Sequence, residues 1–311
     1  MKIHLGMVSE TTSSFLNQVT LCLFSLRRNG GALSDIPVTL ITNNDPLSED
    51  VASFFRKHFS PIEFRTFPRL GAIAQTSKLS VFYAIDPSEY DVLMYLDCDT
   101  VVRKSLDNIL DPIRSGEAQF LCRRGGLTDR NRFVDFDSLV TRFCGTEAAG
   151  KIVYEGEKEW PMFNSGVFLA SSEAVRAIRR DAIDFTYSIY DEWLRISGVE
   201  GLPVLRKLFR LNLLPSRQKV RESWTIEQGA LALSCIKAAV PVQYLDEIYN
   251  SWGNLDFRIL HCFKSAYKFD RAEMYSPNAE TWLSDYSNSD LLGKVFLAEM
   301  VRALKVKLDL A

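Results

Sequence analysis

The stretch Asp91-Val92-Leu93-Met94-Tyr95-Leu96-Asp97-Cys98-Asp99-Thr100 is an apolar run that stops at two carboxylates one residue apart. Val92 to Leu96 show no polar alternation, which predicts a strand buried on both faces, as in a parallel sheet covered by helices. The crevice outside the carboxyl end of such a strand is where open α/β folds bind ligands. Asp97 and Asp99 sit at that exit. In an extended segment, side chains at i and i+2 point the same way, so both carboxylates are expected to converge on one hard divalent cation while Cys98 faces away. Asp-x-Asp arises by chance about once in a chain of this size, and a simple strand-end turn is the alternative. A second copy, Asp135-Phe136-Asp137, follows the polar stretch Arg123 to Arg132 with no apolar run before it and reads as loop.

Around this strand the periodicities alternate. Ile3 to Val8 is expected as a first strand, followed by a helix carrying Phe15, Val19, Cys22, Leu23 and Leu26 and stopped by Asn29-Gly30-Gly31. Pro37 to Thr42 is a second strand. Ser48 is placed to cap a helix through Val51, Phe54, Phe55 and His58, and Ile62 to Phe67 alternates as a third strand. A short helix from Ser77 to Ile85 precedes the central strand. This β-α-β-α-β-α-β order predicts an α/β fold with a mostly parallel, doubly covered sheet. Further on, Ser105 to Leu110 reads as a short helix and Gln119 to Cys122 as a strand. Phe163 to Leu169 is a strand interrupted by Asn164-Ser165-Gly166, and a long helix begins at Ser171 or Ser172 and reaches about Leu194.

Composition narrows the function classes. A formal net charge of -2 over 311 residues gives no global attraction to nucleic acid. The six cysteines include no Cys-x-x-Cys pair and lie mostly in apolar runs, which fits a reducing compartment. Met1 to Val8 is too short an apolar stretch for a signal peptide, and a soluble cytoplasmic protein is expected. Two basic amphipathic stretches, Leu202 to Arg221 and Leu291 to Leu308, either pack on their own domain or give peripheral contact with an anionic membrane.

Four local signatures occur in order. They are Thr76-Ser77-Lys78-Leu79 with the run Tyr90 to Val102; Trp160-Pro161-Met162-Phe163-Asn164-Ser165-Gly166-Val167-Phe168; Glu227-Gln228-Gly229-Ala230-Leu231; and Leu260-His261. Together they resemble the glycogenin-like, retaining glycosyltransferases of family 8. The resemblance covers residues 1 to 270. It implies a single GT-A type domain, with a nucleotide-sugar-binding half over 1–102, an acceptor and catalytic half over 103–270, and a C-terminal helical extension over 271–311.

The resemblance also implies roles. Asp97, Asp99 and His261 would hold Mn²⁺ or Mg²⁺, leaving positions open for the diphosphate of a nucleotide-sugar donor such as a UDP-sugar. Val8, Ser9 and Glu10 would lie at the base, Lys78 would set a cation against the donor, and Lys264 or Lys268 would contact the phosphates. Asn164 and Gln228 are amides able to hydrogen-bond sugar hydroxyls, with Glu227 beside them. The acceptor would be a glycan, a glycolipid or a protein. Some positions depart from the family pattern. Glu227 stands for the usual Asp, Cys262-Phe263-Lys264 breaks the usual spacing after His261, and Phe15 stands near where an aromatic hydroxyl is common. A haloacid-dehalogenase-type phosphatase also fits Asp97-x-Asp99, although that motif normally follows a first strand, and a non-catalytic glycan- or nucleotide-binding module is a third reading.

Overall fold

The computed structural model describes residues 1–71, 74–124, 136–145, 163–196, 225–251, 256–261, 299, 300, 302–304, 306 and 307. Strands β1 (Ile3–Ser9), β2 (Val38–Asn43), β3 (Ile62–Phe67), β4 (Val92–Leu96), β6 (Phe120–Arg124), β7 (Phe163–Ser171) and β8 (Val242–Leu245) form one sheet in the order β3-β2-β1-β4-β7-β6-β8. The β1–β2, β2–β3, β1–β4 and β6–β8 pairs are parallel, and β7 runs antiparallel to both β4 and β6. A second, two-stranded antiparallel sheet joins β5 (Thr100–Val102) to β9 (Ile259–His261), with Thr100 opposite His261.

The apolar runs become central strands because helices cover both faces. Every residue of β2 and β4 is buried. Along β4 the pleat sends Val92, Met94 and Leu96 into one apolar core and Leu93 and Tyr95 into the other. The first core is closed by α1 (Ser13–Asn29) and α2 (Glu49–Phe59). The second is closed by α3 (Val81–Ala84), α6 (Ser172–Ile196) and α7 (Thr225–Lys237). Edge strand β3 is half-exposed, and Arg65 covers it by pairing with Glu63 at 2.7 Å and Glu89 at 2.8 Å. Across β4, β7 and β6 the rings of Tyr95, Phe168 and Phe120 stack at 4.8 and 5.5 Å, which fixes the lateral register.

Several expectations need correction. The segment from Ser77 folds as a 3-10 stretch, Ala74–Ser80, that becomes α-helical only over Val81–Ala84. The helix expected over 105–110 forms as α4 (Asp111–Arg114), where Pro112 in the first turn is tolerated because its missing N–H has no intrahelical partner there. The second Asp-x-Asp is no loop: Phe136 and Asp137 open α5 (Phe136–Cys144), and Asp135 lies outside the described residues. The carboxylates at the exit of β4 are not i and i+2 of a strand. Thr100 donates its amide and its hydroxyl to the Asp97 carbonyl at 3.1 and 2.7 Å, so residues 97–100 form a turn. Cys98 does face the core, donating to the Val8 carbonyl at 3.0 Å.

No helix among the described residues is long and apolar enough to cross a membrane. The basic stretch 202–221 lies outside them. In the C-terminal stretch, Met300 and Leu304 are buried in the first core, and the Lys307 ammonium lies 5.7 and 5.4 Å from the Phe24 and Phe59 ring centroids. These residues pack on their own domain.

Candidate active site

Three elements bring the site together. β4 ends at Asp97, the following turn presents Asp99, and β9 delivers His261 through its pairing with β5. Asp97 continues the ladder by donating its amide to the Gly166 carbonyl at 2.8 Å, so β7 carries Asn164, Ser165 and Gly166 past the same point. His261 Nε2 lies 3.3 Å from Asp99 Oδ1 and 3.7 Å from Asp97 Oδ2. One ligand atom from each of the three residues falls within 4.8 Å of the other two. Ligands around a small divalent ion bound at 2.0 to 2.2 Å lie about 3 Å apart when adjacent and farther when opposite. Two carboxylates and an imidazole at these separations fit a small divalent cation.

Burial pulls the His261 imidazole toward its neutral form, but the Asp99 and Asp97 carboxylates outweigh this and the net shift is upward. Asp99 shows the reciprocal effect: burial pushes its carboxyl up, while His261 and Lys78 bring it below the usual range. The imidazole lies close against the β7 backbone: a Cβ added to Gly166 would come within 2.3 Å of His261 Cε1 and 2.6 Å of Nδ1. Only glycine fits there.

Beside this triad is a cation with little exposure, the Lys78 ammonium, on a side chain 16% exposed. Lys78 Nζ lies 3.1 Å from Asp97 Oδ2, 3.2 Å from Ser165 Oγ and 3.6 Å from Glu227 Oε2. Burial disfavours its ammonium, yet Asp97 and Glu227 dominate and hold it charged, above the usual lysine range. Ser165 donates to Glu227 Oε2 at 2.9 Å. Burial pushes the Glu227 carboxyl up to about 7, against the pull of Lys78 and Ser165. Glu227 Oε1 and Gln228 Oε1 are buried without a hydrogen-bond partner among the described residues, and an unpaired buried acceptor is costly unless a ligand completes it. Both residues lie in the first turn of α7.

The remaining expected contacts are less uniform. Val8 is a core residue whose carbonyl accepts from Cys98. Ser9 is buried and donates to the Glu10 carbonyl at 2.9 Å, and Glu10 is paired with Arg69 at 2.5 Å. Lys264 and Lys268 lie outside the described residues. Two further side chains line the site without a motif that marks them. Tyr95, read as part of an apolar run, donates to Asp97 Oδ1 at 2.7 Å; its place two residues before the aspartate on one strand face was the available signal. Asn250, fully buried, touches both Asn164 and His261, and nothing local in the sequence marks it.

No family model and no curated protein matches the chain. Among solved structures, the galactosyltransferase LgtC in complex with donor and acceptor sugar analogs aligns over 96% of this chain and 95% of that one, with a TM-score of 0.51 at 13% identity. This is the GT-A fold. An active-site mutant of LgtC aligns over the same shares, with a TM-score of 0.51 at 12% identity. The glycosyltransferase GlyE of Streptococcus pneumoniae covers 99% of this chain and 64% of its own, with a TM-score of 0.46 at 13% identity. Within the GT-A fold of this chain, the acidic turn after β4 and the first turn of α7 face each other across Lys78.

Proposed function

We propose that the chain is a metal-dependent glycosyltransferase that moves a hexose from a nucleotide-diphospho-sugar, a UDP-sugar, to a glycan, lipid or protein acceptor with retention of configuration. The observation that carries this reading is the convergence of Asp97, Asp99 and His261 at the carboxyl end of the central strand of a GT-A fold, beside the half-buried Lys78. Retention and the UDP moiety rest on the ordered motifs shared with family 8.

Asp97, Asp99 and His261 would hold the Mn²⁺ or Mg²⁺ ion, which when bound supplies Lewis-acid stabilisation to the diphosphate leaving group. Lys78, kept charged by its two carboxylates, adds a fixed positive charge where negative charge grows as the sugar–phosphate bond breaks and UDP takes the bonding pair. Asn164 and Gln228 hydrogen-bond the sugar and hold it for attack by the acceptor hydroxyl. Glu227, held by Ser165 and Lys78, sets the charge balance behind them. Its Oε2 supports Lys78 and Ser165, and its unpaired Oε1 is left for the ligand.

The deciding experiment measures UDP release from a panel of UDP-sugars, with and without Mn²⁺. Metal-dependent release with one sugar, raised by an acceptor, is expected. Phosphate release from simple monoesters would favour a phosphatase, and donor binding without turnover on any acceptor would favour a binding module. The anomeric configuration of the product, read by proton NMR, tests retention separately.

A further inference from the structure

The hydrogen bonds behind the triad have a direction that can be read from one unambiguous donor. The Gly166 amide lies 3.2 Å from Asn164 Oδ1, and a backbone N–H can only donate, so the side-chain atom it meets is the oxygen. Asn250 approaches the same oxygen at 2.9 Å. It must do so with its Nδ2 amino group, which turns its Oδ1 the other way, 2.9 Å from His261 Nδ1. An amide oxygen only accepts, so His261 carries its hydrogen on Nδ1. In the neutral ring Nε2 is then left with a lone pair, on the side of Asp99 and Asp97.

We propose that Asn250 is a positioning residue that fixes His261 as the Nδ1–H tautomer and, through its other end, leaves Asn164 able only to donate toward the substrate. The second half follows from lone pairs. Both sites on Asn164 Oδ1 are used, by the Gly166 amide and by Asn250 Nδ2, so the polar group that Asn164 has left is its own Nδ2. Asn164 therefore recognises an oxygen of the donor sugar as an acceptor.

Asn250 is well anchored for this task. It is fully buried at the end of the 3-10 turn Glu247–Asn250, and its carbonyl accepts from Arg123 Nη1. The next residue is stitched to β9 in both directions: the Ser251 amide donates to the Ile259 carbonyl at 2.9 Å and the His261 amide to the Ser251 carbonyl at 2.8 Å. Asn250 and His261 thus move as one unit, and one amide side chain couples the metal-facing imidazole to the sugar-facing asparagine. Such outer partners of a ligating histidine set its tautomer and its ring orientation.

This inference rests on the reading of Asp97, Asp99 and His261 as a metal site and of Asn164 as a sugar contact. Its first test needs neither. The chain has three histidines, so two-bond ¹H–¹⁵N correlation spectra of the metal-free protein, with His4→Gln and His58→Gln for assignment, report each ring's tautomer once the ring is neutral. His261 is expected as Nδ1–H, and an Nε2–H ring in the unaltered protein would overturn the proposal whether or not a metal binds. The second test is Mn²⁺ titration in the presence of UDP. Asn250→Ala is expected to weaken Mn²⁺ about ten- to a hundredfold, whereas Asn250→Asp, which still accepts from Nδ1–H but no longer donates to Asn164, is expected to keep near-normal Mn²⁺ affinity and lose turnover. Unchanged Mn²⁺ affinity in a folded Asn250→Ala protein would overturn it. Failure of the unaltered protein to bind Mn²⁺ would overturn the metal reading instead, with the spectra still deciding the tautomer.

Discussion

Tyr95 donates its hydroxyl to Asp97 Oδ1 at 2.7 Å while Lys78 approaches the other carboxylate oxygen at 3.1 Å. Burial, with Asp97 beside it, holds the Tyr95 phenol well above its ordinary range, so it stays a donor. Both oxygens of the aspartate are therefore oriented before any ligand arrives, and the orientation comes from the strand itself, since Tyr95 and Asp97 stand two residues apart.

Tyr95→Phe should weaken Mn²⁺ binding by about tenfold without unfolding the protein. The hydrogen bond to a charged group is worth about 1.5 to 3 kcal/mol locally, while the ring contact with Phe168 at 4.8 Å is kept. Calorimetric titration of Mn²⁺ beside a thermal melt checks both halves of the expectation.

Gly166→Ala should damage both the fold and the site. Its Cβ would lie 2.3 Å from His261 Cε1, and the imidazole is held by Asn250 at 2.9 Å and cannot swing aside without breaking that bond. Overpacking of this kind costs about 1 to 3 kcal/mol. Urea unfolding should show a lowered midpoint, and UDP binding should lose its response to Mn²⁺.

How much of this was legible in the sequence depends on the range of the interaction. The alternation over Ile62 to Phe67 predicts β3, which forms there, because alternation and burial are set within the strand. The β4 exit and the glycine-bearing β7 were visible for the same reason. The helix at 105–110 was misplaced because Pro112 decides the boundary more strongly than the apolar spacing before it. The antiparallel entry of β7 between β4 and β6 depends on pairing between strands distant in the chain, and the role of Asn250 on its contact with Asn164, 86 positions away. Neither leaves a local periodicity to read.

Gln228→Ala should lower turnover far more than it weakens free UDP. Gln228 Oε1 is buried and unpartnered among the described residues, and a contact with the sugar alone contributes to the transition state rather than to nucleotide affinity. Steady-state kinetics set beside UDP calorimetry measure the split. Equal losses in both would make Gln228 a structural residue of α7.

His4 gives the stability a pH dependence of known sign. Its ring is buried 2.7 Å from Thr39 Oγ1, which in turn donates to Glu63, and burial lowers its pKa from 6.5 despite Glu63 and Glu89. Below pH 6.5 the unfolded chain takes up a proton that the folded chain still refuses, so the folded state loses stability as pH falls through that value. Relative to His4→Gln, the unaltered protein should lose urea stability between pH 7.5 and pH 5.5, the interval that brackets the ordinary histidine pKa of about 6.5. A difference constant over that interval would contradict the assignment.

UDP calorimetry with and without Mn²⁺, on the unaltered protein and on Asp99→Ala, decides whether Asp97, Asp99 and His261 make a divalent-metal site serving a nucleotide-sugar. The side chain of Asp99 is 29% exposed, so its removal leaves little core packing to lose. Mn²⁺ is expected to strengthen UDP binding in the unaltered protein and to have no effect in a folded Asp99→Ala variant. Mn²⁺-dependent UDP binding that survives Asp99→Ala unchanged would contradict the metal site.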